Sequence, residues 1–347
     1  MRREQYRMDR ARALALLQRA PVVHLATTTP DGAPVLKTVH GVVVDDALCF
    51  HGAPAGEKSE SLGRAAVLGA EEIVAEIPSY FVDPERACPA TTYYESVQVH
   101  GVLEEVTDLD AKARVLGALM SRFQPEGGHV PITADHPMYK SAVKGILIVR
   151  VSLERLDGKG KLGQNRKPEE LALILLRLWE RGTPADLAAI ERVREANPSV
   201  PPPAFLAAPD GVQLHMCRLT AADAARAADL LEGAYWNAGV SRETIERSHL
   251  GATVWVGARD QRGRLIASAR ANSDGAKHAW IYDVIVDPEW RGRGLARAVL
   301  RLLLAHPAIR HVRNVRLGTR DAQRLYQGLG FVVEAPRPHG WDLLLSR

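Results

Sequence analysis

Cysteine is scarce in this chain: Cys49, Cys88 and Cys217 are the only three in 347 residues, odd in number and widely separated. That excludes a disulfide framework and a CxxC metal pair, so no metal site and a reducing, cytoplasmic setting are expected. Long apolar runs are missing too. The longest aliphatic stretch, 171–176, falls far short of the roughly 20 residues a membrane-spanning helix requires, so no membrane partner is expected. Aromatic residues make up only 5%, and neither sign of charge dominates, the net being +4. The basic opening segment, 1–20, is interrupted by Glu4 and Asp9 and lacks the small-residue cleavage site of a targeting peptide. Ala13, Leu14, Leu17 and Ala20 fall at helical spacing, and a first helix is expected there.

What is present is enough for two cores. At roughly 100–200 residues per domain the length favours two domains. Charge separates them: from Phe205 onward 20 basic residues face 14 acidic ones, whereas 25 face 27 before it. The surplus peaks between Arg291 and Arg324, where nine arginines meet the single acid Asp321. No helix-turn-helix spacing accompanies them, so nucleic acid is not an expected partner. The glycines among the first of these arginines point to a bound polyphosphate.

The first part alternates short β-rich runs (22–28, 35–44, 47–51, 67–77, 94–106 and 145–153) with turns such as Pro30-Asp31-Gly32, and adds helices at 57–64 and 109–123. Many short strands and few helices imply a small antiparallel barrel. Helices opened by Pro168 and Pro184 follow, then the stiff stretch 197–203 with prolines at 198 and 201–203. The expected organisation is a barrel over 1–167, a helical extension with its linker over 168–204, and an α/β domain over 205–347. The last domain reads as strands at 212–219, 254–259, 265–271, 279–286 and 312–317. Its helices start at Thr220, Gly294 and Arg320, with Asp223 placed for a capping box.

The strongest pattern is a strand, Asp283-Val284-Ile285-Val286, running through Asp287-Pro288-Glu289-Trp290 into Arg291-Gly292-Arg293-Gly294-Leu295-Ala296. A strand entering a glycine-rich turn that opens a helix directs backbone N–H groups at an anion. Some thirty residues on comes Tyr326 ahead of Gly330-Phe331. Together these segments resemble the GNAT acetyltransferase superfamily over about 140 residues, with Arg291, Gly294 and Ala296 matching its Arg/Gln-x-x-Gly-x-Gly/Ala pattern. The resemblance implies an acyltransferase enzyme using acetyl-CoA as cosubstrate and a small-molecule amine as acceptor. Val284, Ile285, Val286, Arg291, Gly292, Arg293, Gly294, Leu295 and Ala296 would hold the thioester and its phosphates. Tyr326 would protonate the leaving thiolate, Asp283 would serve as general base, and Tyr235, Trp236 and Trp280 would line the acceptor pocket.

In the first part, Lys37-Thr38 on a strand precede Phe50-His51-Gly52 and the glycine-rich turn into Glu57-Lys58. Basic residues around a turn at a helix start suit an anion. This pattern, with Ser96 on a later strand, resembles the FMN-binding split barrels of the pyridoxamine 5′-phosphate oxidase superfamily, particularly the nitroimidazole-resistance-like branch. It implies FMN held by Lys37, Thr38, Phe50, His51, Lys58 and Ser96, and a homodimer. Glu57 stands where many relatives carry arginine, which removes one phosphate contact. The run 158–166 resembles FMN-binding negative regulators, so a flavin-sensing regulatory protein with secondary acetylation is the alternative to a bifunctional enzyme. Haem, which related barrels bind, is the lesser reading of His40, His51 and His100, since a lone strand histidine is usually a core residue.

Overall fold

The computed structural model describes residues 4–215, 219–337 and 340–346; Cys217 lies outside them. The chain divides into two compact units. One runs to Glu76 and resumes over Thr92–Asn165; the other comprises Ile77–Thr91 and everything from Arg166. The expected helical extension therefore clusters with the C-terminal unit, as does a short excursion from the barrel sequence.

The first unit opens with α1 (Arg10–Arg19), whose N-cap Asp9 accepts from the Arg12 amide at 2.7 Å. Its strands are β1 (Val23–Thr28), β2 (Pro34–Val39), β3 (Val42–Val44), β4 (Ala47–Gly52), β5 (Ala65–Ile77), β6 (Thr91–Val102), β7 (Glu104–Glu105), β8 (Leu147–Ser152) and β9 (Arg155–Lys161). Helices α2 (Glu57–Glu60), α3 (Leu109–Phe123) and α4 (Lys140–Gly145) lie between them. They form a five-stranded sheet, β2-β1-β5-β6-β9, and a four-stranded sheet, β3-β4-β8-β7. Leu25, Leu68, Val97 and Val99 from the first meet Leu48, Phe50, Val149 and Val151 from the second in one core, as a split antiparallel barrel requires.

Two expected strands are divided. The run 35–44 breaks at His40-Gly41, where the chain leaves one sheet for the other, and 94–106 breaks at the buried Leu103. The helix expected at 57–64 shrinks to α2. Strand β9, which is not among the strands expected from the sequence, pairs with β6 from Tyr94↔Lys161 to His100↔Arg155. Its glycines serve close packing: a Cβ on Gly158 would stand 2.7 Å from that of Ala13 on α1. Along β2, Val35 and Val39 turn inward while Leu36 is 72% exposed; Ile73 on β5 is 61% exposed.

The second unit contains α5 (Pro168–Arg181), α6 (Pro184–Ala196), β10 (Gln213–His215), α7 (Ala221–Leu230), α8 (Arg242–Leu250), β11 (Val254–Arg259), β12 (Leu265–Ser273), β13 (His278–Val286), α9 (Leu295–Ala305), β14 (Asn314–Thr319), α10 (Gln323–Gln327), β15 (Val332–Arg337) and β16 (Gly340–Ser346). The expected capping box closes α7, the Thr220 amide donating to Asp223 Oδ2 at 2.7 Å. The strand expected at 212–219 runs partly outside the described residues, and the helix expected from Arg320 is confined to α10. The seven strands form one sheet, β10-β11-β12-β13-β14-β16-β15, antiparallel except between β13 and β14. Among the described residues no helix is long and apolar enough to cross a membrane.

Candidate functional site

The parallel pairing of β13 and β14 has only three rungs, His278↔Asn314, Ala279↔Val315 and Trp280↔Arg316. Beyond Trp280 the strands part, leaving strand backbone without a neighbour on that side. On the other side of β13 the register to β12 slips between Ser268 and Arg270. The bulge coincides with Asp283 at φ +51°, a left-handed conformation that aspartate tolerates better than most residues. Its carboxylate is buried and fully engaged: Oδ2 accepts from Arg270 Nε at 2.7 Å, and Oδ1 from Trp236 Nε1 at 3.0 Å and Asn237 Nδ2 at 3.4 Å. Three donors on one carboxylate oppose the expected role of a free general base. Asp283 instead ties the bulge to the 235–237 turn.

The gap opens into a cavity of about 540 Å³. Ile281–Val284 form one wall and Leu317–Thr319 the other; Tyr235, Trp236, Trp280, Tyr282 and Trp341 supply aromatic surface, and Asp321 and Asp342 add carboxylates. Tyr326 also reaches it from α10. Burial, with Tyr235 and Asp321 nearby, pushes the Tyr326 phenol up to about 12, so it stays protonated throughout the physiological range. The 235–237 turn is fixed over the cavity: Tyr235 Oη accepts from the Arg320 amide at 2.8 Å, and the Arg320 guanidinium lies 3.8 Å from the Tyr235 ring centre.

Next to this gap, β13 leads into the glycine turn. Gly292 and Gly294 adopt φ +77° and +81°, which side chains resist, and space around both is open. Gly294 is the N-cap of α9 and brings no capping oxygen, so the first-turn amides of Leu295, Ala296 and Arg297 have neither intrahelical nor capping acceptors. Arg291 is exposed, with Nε donating to the Val286 carbonyl at 3.2 Å, and Arg293 rests over Trp290. The Leu295 side chain is buried, and Ile285 packs with Ala228, Leu231 and Ile245. Of the strand residues expected to contact a thioester, only Val284 lines the cavity.

The flavin set of the first unit is brought together in part. Lys37 pairs with Glu57, and Lys58 lies across Gly52, where a Cβ would come within 3.1 Å of its Cε. Burial, then the charges of Lys58 and His40, hold the His51 imidazole below its ordinary value. Lys37, His51 and Lys58 thus surround the turn from β4 into α2. Phe50 does not join them. Alternation along β4 sends its ring into the core, 0% exposed, so its expected contact with a cofactor is corrected to a packing role. Lys37 and Thr38, neighbours on one strand, point to opposite faces. Thr38 shares the outer face of the five-stranded sheet with Leu36, and Ser96 lies among the outward positions of β6, between buried Glu95 and Val97.

Arg270, Asn237, Tyr282, Trp341 and Asp342 belong to the cavity and are absent from the sequence-derived set. Tyr282 carried a readable signal, being two positions from Trp280 on one strand. Trp341 and Asp342 did not, because they reach the site only through the pairing of β14 with β16.

Residues 9–160 match the family described as pyridoxamine 5′-phosphate oxidase, and residues 222–331 match the acetyltransferase (GNAT) family. The GCN5-related N-acetyltransferase 2 (chloroplastic) of Arabidopsis thaliana is 43% identical over 80 residues, 22% of this chain and 31% of that protein. The serotonin N-acetyltransferase 2 (chloroplastic) of Oryza sativa subsp. japonica is 34% identical over 109 residues, 30% of this chain and 53% of that one. The chain thus spans a third to a half of these curated relatives. Among solved structures, an FAD and haem binding protein from Mycobacterium smegmatis is 21% identical over 49% of this chain and 80% of its own, with a TM-score of 0.40.

Proposed function

We propose that this chain, which joins a pyridoxamine 5′-phosphate oxidase-like split barrel to a GNAT domain, transfers the acetyl group of acetyl-CoA to a small-molecule amine. The observation that carries the reading is the parting of β13 from β14 beside the unsatisfied amides at the start of α9, with Tyr326 in the opened cavity. Those amides, Arg291 and Arg293 receive the diphosphate, and the thioester lies in the gap. The amine lone pair attacks the carbonyl carbon, the C–N bond forms, and the C–S bond breaks as the sulfur leaves with the electron pair. Unpaired strand N–H groups near Val284 stabilise the oxyanion, and the surplus amine proton departs through the polar cavity wall to water.

Tyr326 meets the departing thiolate. A phenol near 12 is a weaker acid than a thiol near ~8.5, so its main contribution is a strong hydrogen bond, with the thiol proton restored on release. The aromatic walls with Asp321 and Asp342 favour an amine on a flat or apolar body. Tyr326→Phe should lower kcat by about 10²-fold and leave acetyl-CoA affinity within twofold. Equal kcat in the variant would reject this assignment.

For the barrel we propose FMN, with Lys58 and the first-turn amides of α2 at the phosphate and His51 near the ring system. The gathering of Lys37, His51 and Lys58 supports a fit; the Glu57–Lys37 pair weakens it by occupying one lysine. Bound FMN supplies two-electron redox chemistry. We also propose a homodimer through the outer face of the five-stranded sheet, where Leu36 and Ile73 are exposed, and a reducing cytoplasmic setting. A strict monomer by light scattering would reject the dimer. Flavin binding without bleaching by NADH or NADPH would favour the regulatory reading.

A further inference from the structure

Strand β10 is an edge of the seven-stranded sheet, and alternation along it buries Leu214 and turns Gln213 and His215 to the other face. Glu191, Arg194 and Glu195 follow one another at helical spacing on one face of α6. These two faces, with the stretch 198–212 between them, enclose a cavity of about 740 Å³ within the second unit. That is larger than the acceptor cavity and within the ~300–1,000 Å³ span of small-molecule sites. Pro198, Val200, Pro202, Leu206 and Val212 give it apolar surface, and the two prolines carry no N–H, so their backbone can only accept. Apart from Arg259 on β11, every lining residue falls between the two family matches, 9–160 and 222–331.

Both signs of charge line this cavity. Arg194 is half-buried and makes no hydrogen bond or ion pair with a described residue; burial holds its guanidinium below the ordinary value against the pull of Glu191 and Glu195. A desolvated cation without an acceptor is costly, and a carboxylate laid on its planar fork removes the cost. Arg259 gives Nε and Nη2 to Asp223, at 3.2 and 2.6 Å, which leaves Nη1 for a second acceptor. On the acidic side Glu191 is buried, with His215 Nδ1 3.7 Å from its Oε1, and Glu195 is exposed. Two guanidiniums set against two carboxylates exclude a polyanion and suit a ligand that carries one charge of each sign. We infer that this cavity binds a free α-amino acid with an apolar side chain. Its carboxylate lies on Arg194, its ammonium towards Glu195 and the proline carbonyls, and its side chain against Val200, Leu206 and Val212. The inference is independent of the acetyl-CoA reading.

The test is thermal unfolding of the full chain followed by tryptophan fluorescence, with L-leucine, L-phenylalanine, leucinamide or 4-methylpentanoate present at about 10 mM. At least one of the two amino acids should raise the midpoint by about 2–4 °C. Leucinamide, which lacks the carboxylate, and 4-methylpentanoate, which lacks the ammonium, should each raise it by less than a third as much as the better amino acid. In Arg194→Gln the amino-acid shift should vanish while acetyl-CoA affinity stays within twofold of the wild type. Should Arg194→Gln not fold, Arg194→Lys keeps the charge without the planar fork and should show less than half the wild-type shift. A midpoint that neither amino acid moves overturns the inference. So does a shift that 4-methylpentanoate or leucinamide reproduces in full, which removes the two-charge ligand. A full shift surviving in either Arg194 variant places the amino acid elsewhere, the acceptor cavity included, and overturns it as well.

Discussion

Arg270 Nε donates to Asp283 Oδ2 at 2.7 Å across the β12–β13 bulge, and both side chains are largely withdrawn from solvent, 13% and 5% exposed. The pair therefore holds a left-handed residue in place at the point where the sheet opens. Removing one partner leaves the other charge buried, which costs about 3–5 kcal/mol in such pairs. Asp283→Asn and Arg270→Gln should each reduce kcat and loosen the bulge, and the double variant should lose less than the product of the two. The positioning role also requires that Asp283→Asn keep the alkaline and acid limbs of the wild-type pH profile. Loss of one limb in Asp283→Asn alone, with additive effects in the cycle, would return Asp283 to general-base catalysis.

The anion turn makes a graded prediction. At Gly294, φ +81° disfavours any side chain, so a charged substitution alone confuses strain with repulsion. Asparagine tolerates the left-handed region, alanine does so poorly, and glutamate adds charge. Acetyl-CoA affinity should fall slightly in Gly294→Asn, by a further several-fold in Gly294→Ala, and below detection in Gly294→Glu. A Gly294→Glu protein that binds like Gly294→Ala would show that no phosphate approaches this turn.

Much of this was legible because it is local. Helix α3 falls at the residues its periodicity marks, the Thr220–Asp223 box forms as spaced, and the glycine–arginine turn lies where a strand meets a helix. What escaped depends on distant chain. Strand β9 goes unread because the reason for its glycines, contact with α1, is about 145 residues away in sequence. Strand alternation was readable in principle and separates Phe50 from His51 and Lys37 from Thr38. The positive φ of Asp283 has no such local signal, and neither has the arrival of Trp341 and Asp342 through β16.

The Lys37–Glu57 pair places one flavin prediction on a single charge. Glu57→Gln should release Lys37 for the phosphate and tighten FMN binding, by several-fold at an exposed site. Lys58→Glu should empty the site, since it replaces attraction with repulsion at the turn. Flavin absorbance after reconstitution and gel filtration reads both. If Glu57→Gln weakens FMN binding, the acid supports the flavin and the phosphate lies elsewhere.

The second unit should be acid-labile for an identifiable reason. Burial, with a smaller push from Arg310, holds the His306 imidazole down to about 4, and its Nδ1 accepts from the Ala308 amide at 3.2 Å, so that nitrogen is unprotonated. In the unfolded chain the same group takes its proton near ~6.5. Between those values the unfolded state binds more protons, so stability falls as pH drops from about 6.5 towards 4, by about 3 kcal/mol at the most. His249 is shifted in the same direction by burial and contributes to the same slope. All six tryptophans lie at or beyond Trp179, so tryptophan fluorescence during urea unfolding reports this unit alone. Wild-type protein should lose midpoint between pH 7 and pH 4.5. His306→Gln should start lower at pH 7, where a packed imidazole is lost, and then fall by less, the remaining slope belonging to His249. An unchanged acid slope in His306→Gln would mean that His306 is protonated in the native state well above pH 4.5.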